Sequence, residues 1–171
     1  MANLRTEQYA GSQSSYLTDL PSYISGYVDG EGCFTVSISP RPTLRVGREV
    51  RPSFSVSQNG DRDEVLLDIQ DYFGCGTIRP DRSDKTVKWE ARSLPLLIRR
   101  VIPHFHRYPL RSGKSNDFEL FASTCEAMAR GRHLEPEGLR EIVRWAGAVN
   151  PERNAKVRTG DDSQVTSEMK A

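Results

Sequence analysis

The order of apolar patterns predicts an α+β fold with a four-stranded antiparallel sheet and helices on one of its faces. Residues 33–41 and 45–57 alternate between apolar and polar side chains, as strands with one buried face do. Shorter alternating runs follow at 77–81 and 87–92, and a helical stripe precedes each pair. A unit of one helix and two strands therefore occurs twice. Strands in adjacent pairs favour hairpins over parallel βαβ units.

Helical periodicity accounts for most of the remaining apolar residues. The first helix is predicted over residues 19–29, with Thr18 or Asp19 as its cap and Gly30 and Gly32 at its end. A second is predicted over 61–73, ending at Gly74. The later helices are predicted from Ser93 or Pro95 to about His106, from Lys114 to Arg130 and from Pro136 to Val149.

Length and composition favour one packed domain with polar ends. The chain has 171 residues, of which 36% are hydrophobic and 27% charged. We expect a mobile segment at 1–15, a folded domain at 16–149 and a disordered polar tail at 150–171. Because no apolar run reaches the length of a membrane span and no secretory signal is evident, we expect an intracellular protein without a membrane partner.

Cysteine spacing and net charge exclude some simple classes. Cys33, Cys75 and Cys125 are widely spaced and form no CxxC pair, so neither a disulfide framework nor a zinc site is favoured. His104 and His106 are interpreted as partly exposed residues at a helix end. The net charge is +1, so any nucleic-acid binding must depend on where the charges lie.

The segment SGYVDGEG at residues 25–32 joins the first helix to the first strand. Gly26 and Gly30 lie four residues apart with Ser25 beside them, and small residues allow two helices to approach closely. Asp29 and Glu31 place carboxylates at the helix end. Two copies packed face to face would bring carboxylates together near one axis, where divalent cations could bind. The plain alternative is a turn, because Asp-Gly is a common turn dipeptide.

This segment resembles the LAGLIDADG motif, whose common variant reads AGFVDGEG. The segments FSVSQ (54–58), YFGCGTI (72–78) and YPLRSGKSNDFELF (108–121) resemble recurring segments of the same family, in the same order. The resemblance spans about residues 16–130. It implies the αββαββα fold of the homing endonucleases and site-specific cleavage of double-stranded DNA with Mg²⁺ or Mn²⁺. A single motif copy implies a homodimer that reads a long pseudo-palindromic site.

The resemblance also implies roles for particular residues. Glu31, Gln58 and Lys114 correspond to catalytic positions, and Glu31 and the Gly30 carbonyl to metal ligands. Arg111 competes with Lys114 for the role of the basic residue. The residues expected at the dimer interface are Tyr23, Ser25, Gly26, Asp29 and Gly30.

Basic residues on the exposed side of the hairpins suggest a DNA-contacting surface. A β-ribbon fits the major groove, and arginine reads guanine through two hydrogen bonds. The alternative is an ordinary solvated sheet face. The residues expected to bind DNA are Arg41, Arg45, Arg48, Arg51, Ser53, Ser55, Arg62, Arg79 and Lys88.

Two rival functions use the same fold. The family includes maturases, which bind intron RNA, and DNA-binding regulators, which do not cut. Regulators tend to lose the motif carboxylates, whereas this sequence retains Asp29 and Glu31, which favours the enzyme. The target sequence and the host, whether a bacterial or archaeal cytoplasm or an organelle, are left open.

Overall fold

The computed structural model describes residues 19–60, 63–80 and 85–149. The segments predicted to be mobile or disordered, 1–15 and 150–171, lie outside these ranges. The elements in chain order are α1 (Leu20–Glu31), β1 (Gly32–Pro40), β2 (Arg48–Asn59), α2 (Glu64–Phe73), β3 (Thr77–Pro80), β4 (Thr86–Ala91), α3 (Leu94–Leu96), a π-helical turn (Leu97–Val101), α4 (Ile102–Arg107), α5 (Lys114–Ala129), a 3₁₀ turn (Arg132–Leu134) and α6 (Pro136–Ala148).

The four strands form one antiparallel sheet in the order β1-β2-β4-β3, which confirms the predicted fold class. Two hairpins, β1-β2 and β3-β4, meet along β2 and β4, where Phe54 pairs with Ala91 and Asn59 with Thr86. The two αββ units thus share a single sheet rather than forming separate layers.

One face of the sheet carries the core. Phe34 of β1 stacks on Phe54 of β2 with ring centroids 4.8 Å apart, and both are fully buried. Phe73 of α2 and Phe105 of α4 each contact Phe54 edge-on, which places those helices on this face. Phe118 of α5 packs against Phe34. The polar residues that alternate with this row lie on the opposite face, which faces away from the helices.

Helix α1 is longer than predicted. Asp19 caps it, accepting a hydrogen bond from the Ser22 backbone N–H at 3.3 Å. The predicted last residue, Asp29, is wrong, because the helix continues through Gly30 and Glu31; Gly32, the other glycine predicted to end it, is its C-cap and begins strand β1 with no intervening loop. The Gly32 backbone N–H still donates to Val28, so the helical hydrogen bonding persists up to the first strand residue.

Strand β2 starts later than predicted, at Arg48 instead of residue 45. The connection before it is a compact turn, in which the Arg41 N–H donates to the Gly47 carbonyl at 2.8 Å. Gly47 has a φ of 69°, a conformation that glycine adopts without strain. None of the helices in the described ranges is long and apolar enough to cross a membrane.

Candidate functional site

The junction between α1 and β1 exposes the second carboxylate of the motif. Glu31 is the last residue of α1 and is exposed. No side chain in the described ranges forms a hydrogen bond or an ion pair with it. Its carboxylate is therefore available to a ligand from outside these residues.

Lys114 places a positive charge at the same helix end. Its Nζ donates hydrogen bonds to the carbonyls of Val28 and Gly30, at 2.9 and 3.2 Å. These carbonyls carry the negative end of the α1 dipole, which attracts a cation. Arg111 hydrogen-bonds to α1 through its backbone N–H, at the Asp29 carboxylate, and it lines a cleft beside Gly26. Both basic residues therefore lie near this junction, and Lys114 is the one whose side chain hydrogen-bonds to the α1 carbonyls.

Asp29 ties α1 to the segment that precedes α5. Its carboxylate accepts hydrogen bonds from the Ser112 hydroxyl at 2.7 Å and from the Arg111 backbone N–H at 2.8 Å. Partial burial pushes the pKa of Asp29 upward, but the hydrogen bonds from Ser112 and Arg111 outweigh it and lower the pKa overall. Asp29 is thus ionised, and its carboxylate already has hydrogen-bond partners within its own chain.

Gln58 reaches the motif helix from the end of β2. Its side-chain amide donates to the Tyr27 hydroxyl, and its carbonyl accepts from the Asn59 N–H at 2.8 Å. Burial raises the pKa of Tyr27, and the negative charge of Glu31 raises it further. The fold therefore brings Gln58, Glu31 and Lys114, which lie far apart in the sequence, to the same end of α1.

The exposed side of α1 is flat. A Cβ added at Gly26 or at Gly30 would meet nothing within 4 Å, and both glycines are exposed. Tyr23, one turn earlier, is 51% exposed. Ser25 was grouped with this surface in the sequence, but its side chain points inward and the residue is only 6% exposed.

A hydrogen bond to His104 explains the inward orientation of Ser25. The burial of His104 was not predicted. The Ser25 hydroxyl donates to the Tyr108 carbonyl at 2.7 Å, so it can only accept from His104 Nε2, at 3.1 Å. His104 is then neutral with its proton on Nε2, and Nδ1 accepts from the Tyr72 hydroxyl at 3.0 Å. Burial lowers the pKa of His104 to about 4. The prediction that His104 is partly exposed is wrong, since the residue is 5% exposed.

The sheet face opposite the helices is mainly basic and hydroxylated. Register pairs Ser53 with Thr35, Ser55 with Cys33 and with Glu90, and Ser57 with Lys88. We call this surface the polar face. The cations on it or at its ends are Arg41, Arg51, Arg79, Lys88 and Arg92, and the carboxylates are Glu49 and Glu90.

Two of the arginines predicted to bind DNA lie elsewhere. Arg45 falls outside β2 and donates to the Leu134 carbonyl at 2.8 Å. Arg48 pairs with Pro40, in register with the apolar row. Both line a groove of about 1000 Å³ beside α6, together with Leu139. The prediction that they share the polar face is wrong, because Arg45 precedes the start of β2 and Arg48 lies two residues from Val50, on the same side of the strand as the apolar row. Arg62 lies outside the described residues.

Glu90 and Arg92 were not among the predicted site residues. Glu90 pairs with both Arg79 and Arg92, and Glu49 pairs in the same way with Arg41 and Arg51. Alternation along the strand does place Glu90 on the polar face. Spacing alone, however, cannot show which charges across strands meet.

Comparison with known proteins supports the fold and the motif together. The profile of the family described as LAGLIDADG endonuclease matches residues 24–125. A Neurospora crassa protein named probable intron-encoded endonuclease 2 is 33% identical over 131 residues, which cover 76% of this chain. The chain spans 29% of the length of that relative.

Two solved structures resemble the fold closely. The homing endonuclease I-TnaI superposes with a TM-score of 0.73 at 34% identity, over 81% of this chain and 95% of that one. The LAGLIDADG homing endonuclease I-LtrWI, solved bound to target DNA, superposes with a TM-score of 0.75 at 31% identity, over 82% of this chain and 49% of that one. The motif, the αββαββα order and these matches agree, and the chain belongs to the LAGLIDADG endonuclease family.

Proposed function

We propose that two copies of this chain form a site-specific endonuclease that hydrolyses double-stranded DNA with bound Mg²⁺ or Mn²⁺. The observation that carries the proposal is the junction of α1 and β1. There the exposed Glu31 carboxylate, which has no side-chain partner among the described residues, follows Gly30, whose carbonyl accepts a hydrogen bond from Lys114.

The residues at this junction fit a hard divalent cation. Mg²⁺ takes oxygen ligands, keeps several waters, and is commonly held by one or two carboxylates together with substrate phosphate. Glu31 would be the ligand from each chain. The Gly30 carbonyl, also expected as a ligand, already accepts a hydrogen bond from Lys114 and would share its oxygen. No group of three His, Cys, Asp or Glu side chains forms within the described ranges, so further ligands would come from DNA, water or a second copy.

The cation, when bound, would supply positive charge at the scissile phosphate and lower the pKa of a bound water. The protein's own contribution is to hold the site rigid. Lys114 fixes the last turn of α1 and keeps a positive charge within reach of the phosphate. Gln58 holds the Tyr27 side chain one turn before Glu31.

A second copy would complete the site. A twofold axis along the exposed face of α1 would bring two Glu31 carboxylates together, because a symmetric interface presents the same patch from both chains. The match to about half of I-LtrWI supports this arrangement, since a second copy of this chain would correspond in length to the other half.

The polar face is the surface that we assign to the DNA. Its arginines, lysine and hydroxyl groups suit the major groove, where a β-ribbon reads base edges. Twofold symmetry then makes the target a pseudo-palindrome. The net charge of +1 does not oppose this, because the described cations of the polar face outnumber its two carboxylates, Glu49 and Glu90.

The test compares Glu31→Gln with Asp71→Asn on DNA that spans the insertion point of the host element. Asp71 is an exposed carboxylate in the last turn of α2, the equivalent helix of the second unit. Glu31→Gln keeps the side-chain volume and removes the charge. We expect it to reduce cleavage by about 100-fold or more while binding survives. Asp71→Asn should cleave like the wild type, and chelation of divalent metal should stop cleavage by either of these two proteins.

Wild-type cleavage rates in Glu31→Gln would overturn the assignment of Glu31. A wild-type protein that binds this duplex with Mg²⁺ present but leaves it intact would instead be a non-cutting DNA-binding protein. Tighter binding to the intron RNA than to the duplex would identify a maturase.

A further inference from the structure

Glu90 occupies an unusual position on the polar face. It lies on β4 between Ser55 of β2 and Thr77 of β3, and its side chain is only 5% exposed although none of the described helices covers this face. Two guanidinium groups cover it. Arg79 donates to it from β3, and Arg92 donates from just beyond β4, at 3.0 and 3.1 Å to its two oxygens.

This carboxylate is held charged by its partners. Burial pushes the pKa of Glu90 upward, but the hydrogen bonds from Arg92 and Arg79 outweigh burial and lower the pKa overall. A buried carboxylate without partners would be strongly unfavourable, so both arginines are held close to it. Each arginine contacts Glu90 through Nη2, which leaves further N–H donors on side chains that are 54% and 64% exposed.

The other carboxylate of the polar face is held less tightly. Glu49 also pairs with two arginines, Arg41 and Arg51, but its side chain is 22% exposed. Water competes for exposed ion pairs, and such pairs fix side-chain geometry weakly. Immobilising a long side chain at an interface costs conformational entropy, and in the Glu90 cluster part of that entropy is already lost before DNA arrives.

Arg92 also links two parts of the surface. It lines a cleft of about 510 Å³ together with Arg51 and Ser53, and a second cleft of about 240 Å³ together with Arg79 and Glu90. A base edge that approaches β4 through either cleft would therefore meet Arg92.

We propose that Arg79 and Arg92 form a paired reader of guanine edges, and that Glu90 is the positioning residue that aims both. Guanine presents O6 and N7 as adjacent acceptors in the major groove, and these match the fork of an arginine. The carboxylate cancels one of the two positive charges, which weakens attraction to any phosphate and leaves the directed N–H donors. The inference rests on the proposed function, because it requires that the polar face binds DNA.

The experiment selects duplexes from a random-sequence DNA pool, without divalent metal so that no strand is cut. The wild type is compared with Glu90→Gln, with Arg92→Lys and with the control Glu126→Gln, which removes an exposed carboxylate paired with Arg130 on α5. We expect the wild type and the control to enrich guanine at the same positions. In Glu90→Gln and Arg92→Lys, preference at those positions should fall by about 10-fold, in line with the loss of a bidentate contact. Affinity for unselected DNA should not fall in either variant, because no positive charge is lost.

Equal guanine enrichment by the wild type, Glu90→Gln and Arg92→Lys would overturn this inference while leaving the endonuclease proposal intact. If Glu90→Gln fails to fold, Arg92→Lys decides the question alone, because Arg92 is mostly exposed and keeps its charge. A wild-type protein that enriches no sequence at all would overturn the site-specific function itself.

Discussion

The two αββ units have the same element order but differ where each helix meets its first strand. In the first unit, α1 ends at Glu31 and β1 begins at Gly32, with no loop between them. In the second, α2 ends at Phe73, and three residues precede β3, with Gly74 and Gly76 at φ values of 55° and 86°.

The difference decides which helix end has groups available for chemistry. The turn after α2 is closed by hydrogen bonds among its own residues. The Gly74 N–H donates to the Gln70 carbonyl, and the Gln70 side-chain amide donates to the Gly76 carbonyl. The direct junction after α1 makes no such turn. Its last carbonyls are free to hold Lys114, and Glu31 projects into solvent. A similar helix-to-sheet frame thus closes on itself in one unit and carries the proposed active site in the other.

The largest effect should come from filling the flat face of α1. Gly26→Leu places a bulky side chain where a second copy would pack, and overpacking costs about 1–3 kcal/mol at each site. Because a twofold axis repeats the clash, we expect dimerisation to weaken by about 2–6 kcal/mol and cleavage to fall with it. Sedimentation at several concentrations measures this.

Asp68→Leu is the matched control for that change. Asp68 is exposed on α2, so the same side chain appears on the helix of the second unit. Asp68→Leu should leave the proportion of dimer to monomer unchanged in the same sedimentation experiment. If Asp68→Leu dissociates the dimer and Gly26→Leu does not, α2 provides the interface and our choice of helix is wrong.

A smaller effect, on the free energy of unfolding, distinguishes the glycines at the two helix-to-strand junctions. A Cβ at Gly76 would lie 2.5 Å from the Trp89 ring, at a φ that disfavours other residues. We expect Gly76→Ala to destabilise the fold by about 2–5 kcal/mol. Gly30→Ala meets nothing within 4 Å and lies within α1, so it should stabilise a single chain by about 0.5–1 kcal/mol. Urea unfolding, at protein concentrations that favour the monomer, measures the free energy of unfolding of both variants. Equal effects of Gly76→Ala and Gly30→Ala would contradict the difference between the two junctions.

The last prediction concerns the link between the two units and is confined to low pH. His104 joins Ser25 of α1 to Tyr72 of α2, and burial holds its pKa at about 4 in the folded protein. In the unfolded chain its pKa is about 6.5. As pH falls from 6.5 to 4, the unfolded chain gains a proton that the folded protein refuses, so folding stability should decline over that window.

His104→Gln cannot titrate and can keep the donor to Ser25, so it should flatten that part of the pH dependence. The measurement is the free energy of unfolding in urea at pH values between 4 and 7. Equal slopes for the wild type and His104→Gln would mean that other groups produce the decline.

Much of the fold could be predicted from local patterns. Alternation along β1, β2 and β4 identified the strands because one face is buried and the other is not, and Gly74 marked the end of α2 as predicted. The motif at residues 25–32 and the three segments after it identified the family, and the family model matches residues 24–125, which contain all four. Placement errors occurred at the start of β2: Arg45 lies before the strand although the alternation reaches it, and Arg48 lies in the apolar row in spite of its charge.

The sequence by itself determined the two αββ units and the family, and it predicted a shared site for Glu31, Gln58 and Lys114. Only the tertiary structure decided which groups these residues contact. Spacing cannot show that Lys114 binds the carbonyls of α1, that Ser25 turns inward to His104, or that Glu90 lies beneath two arginines. The physical reason is that local patterns depend on whether a side chain is buried, whereas hydrogen bonds and ion pairs depend on which distant groups the packed chain brings together.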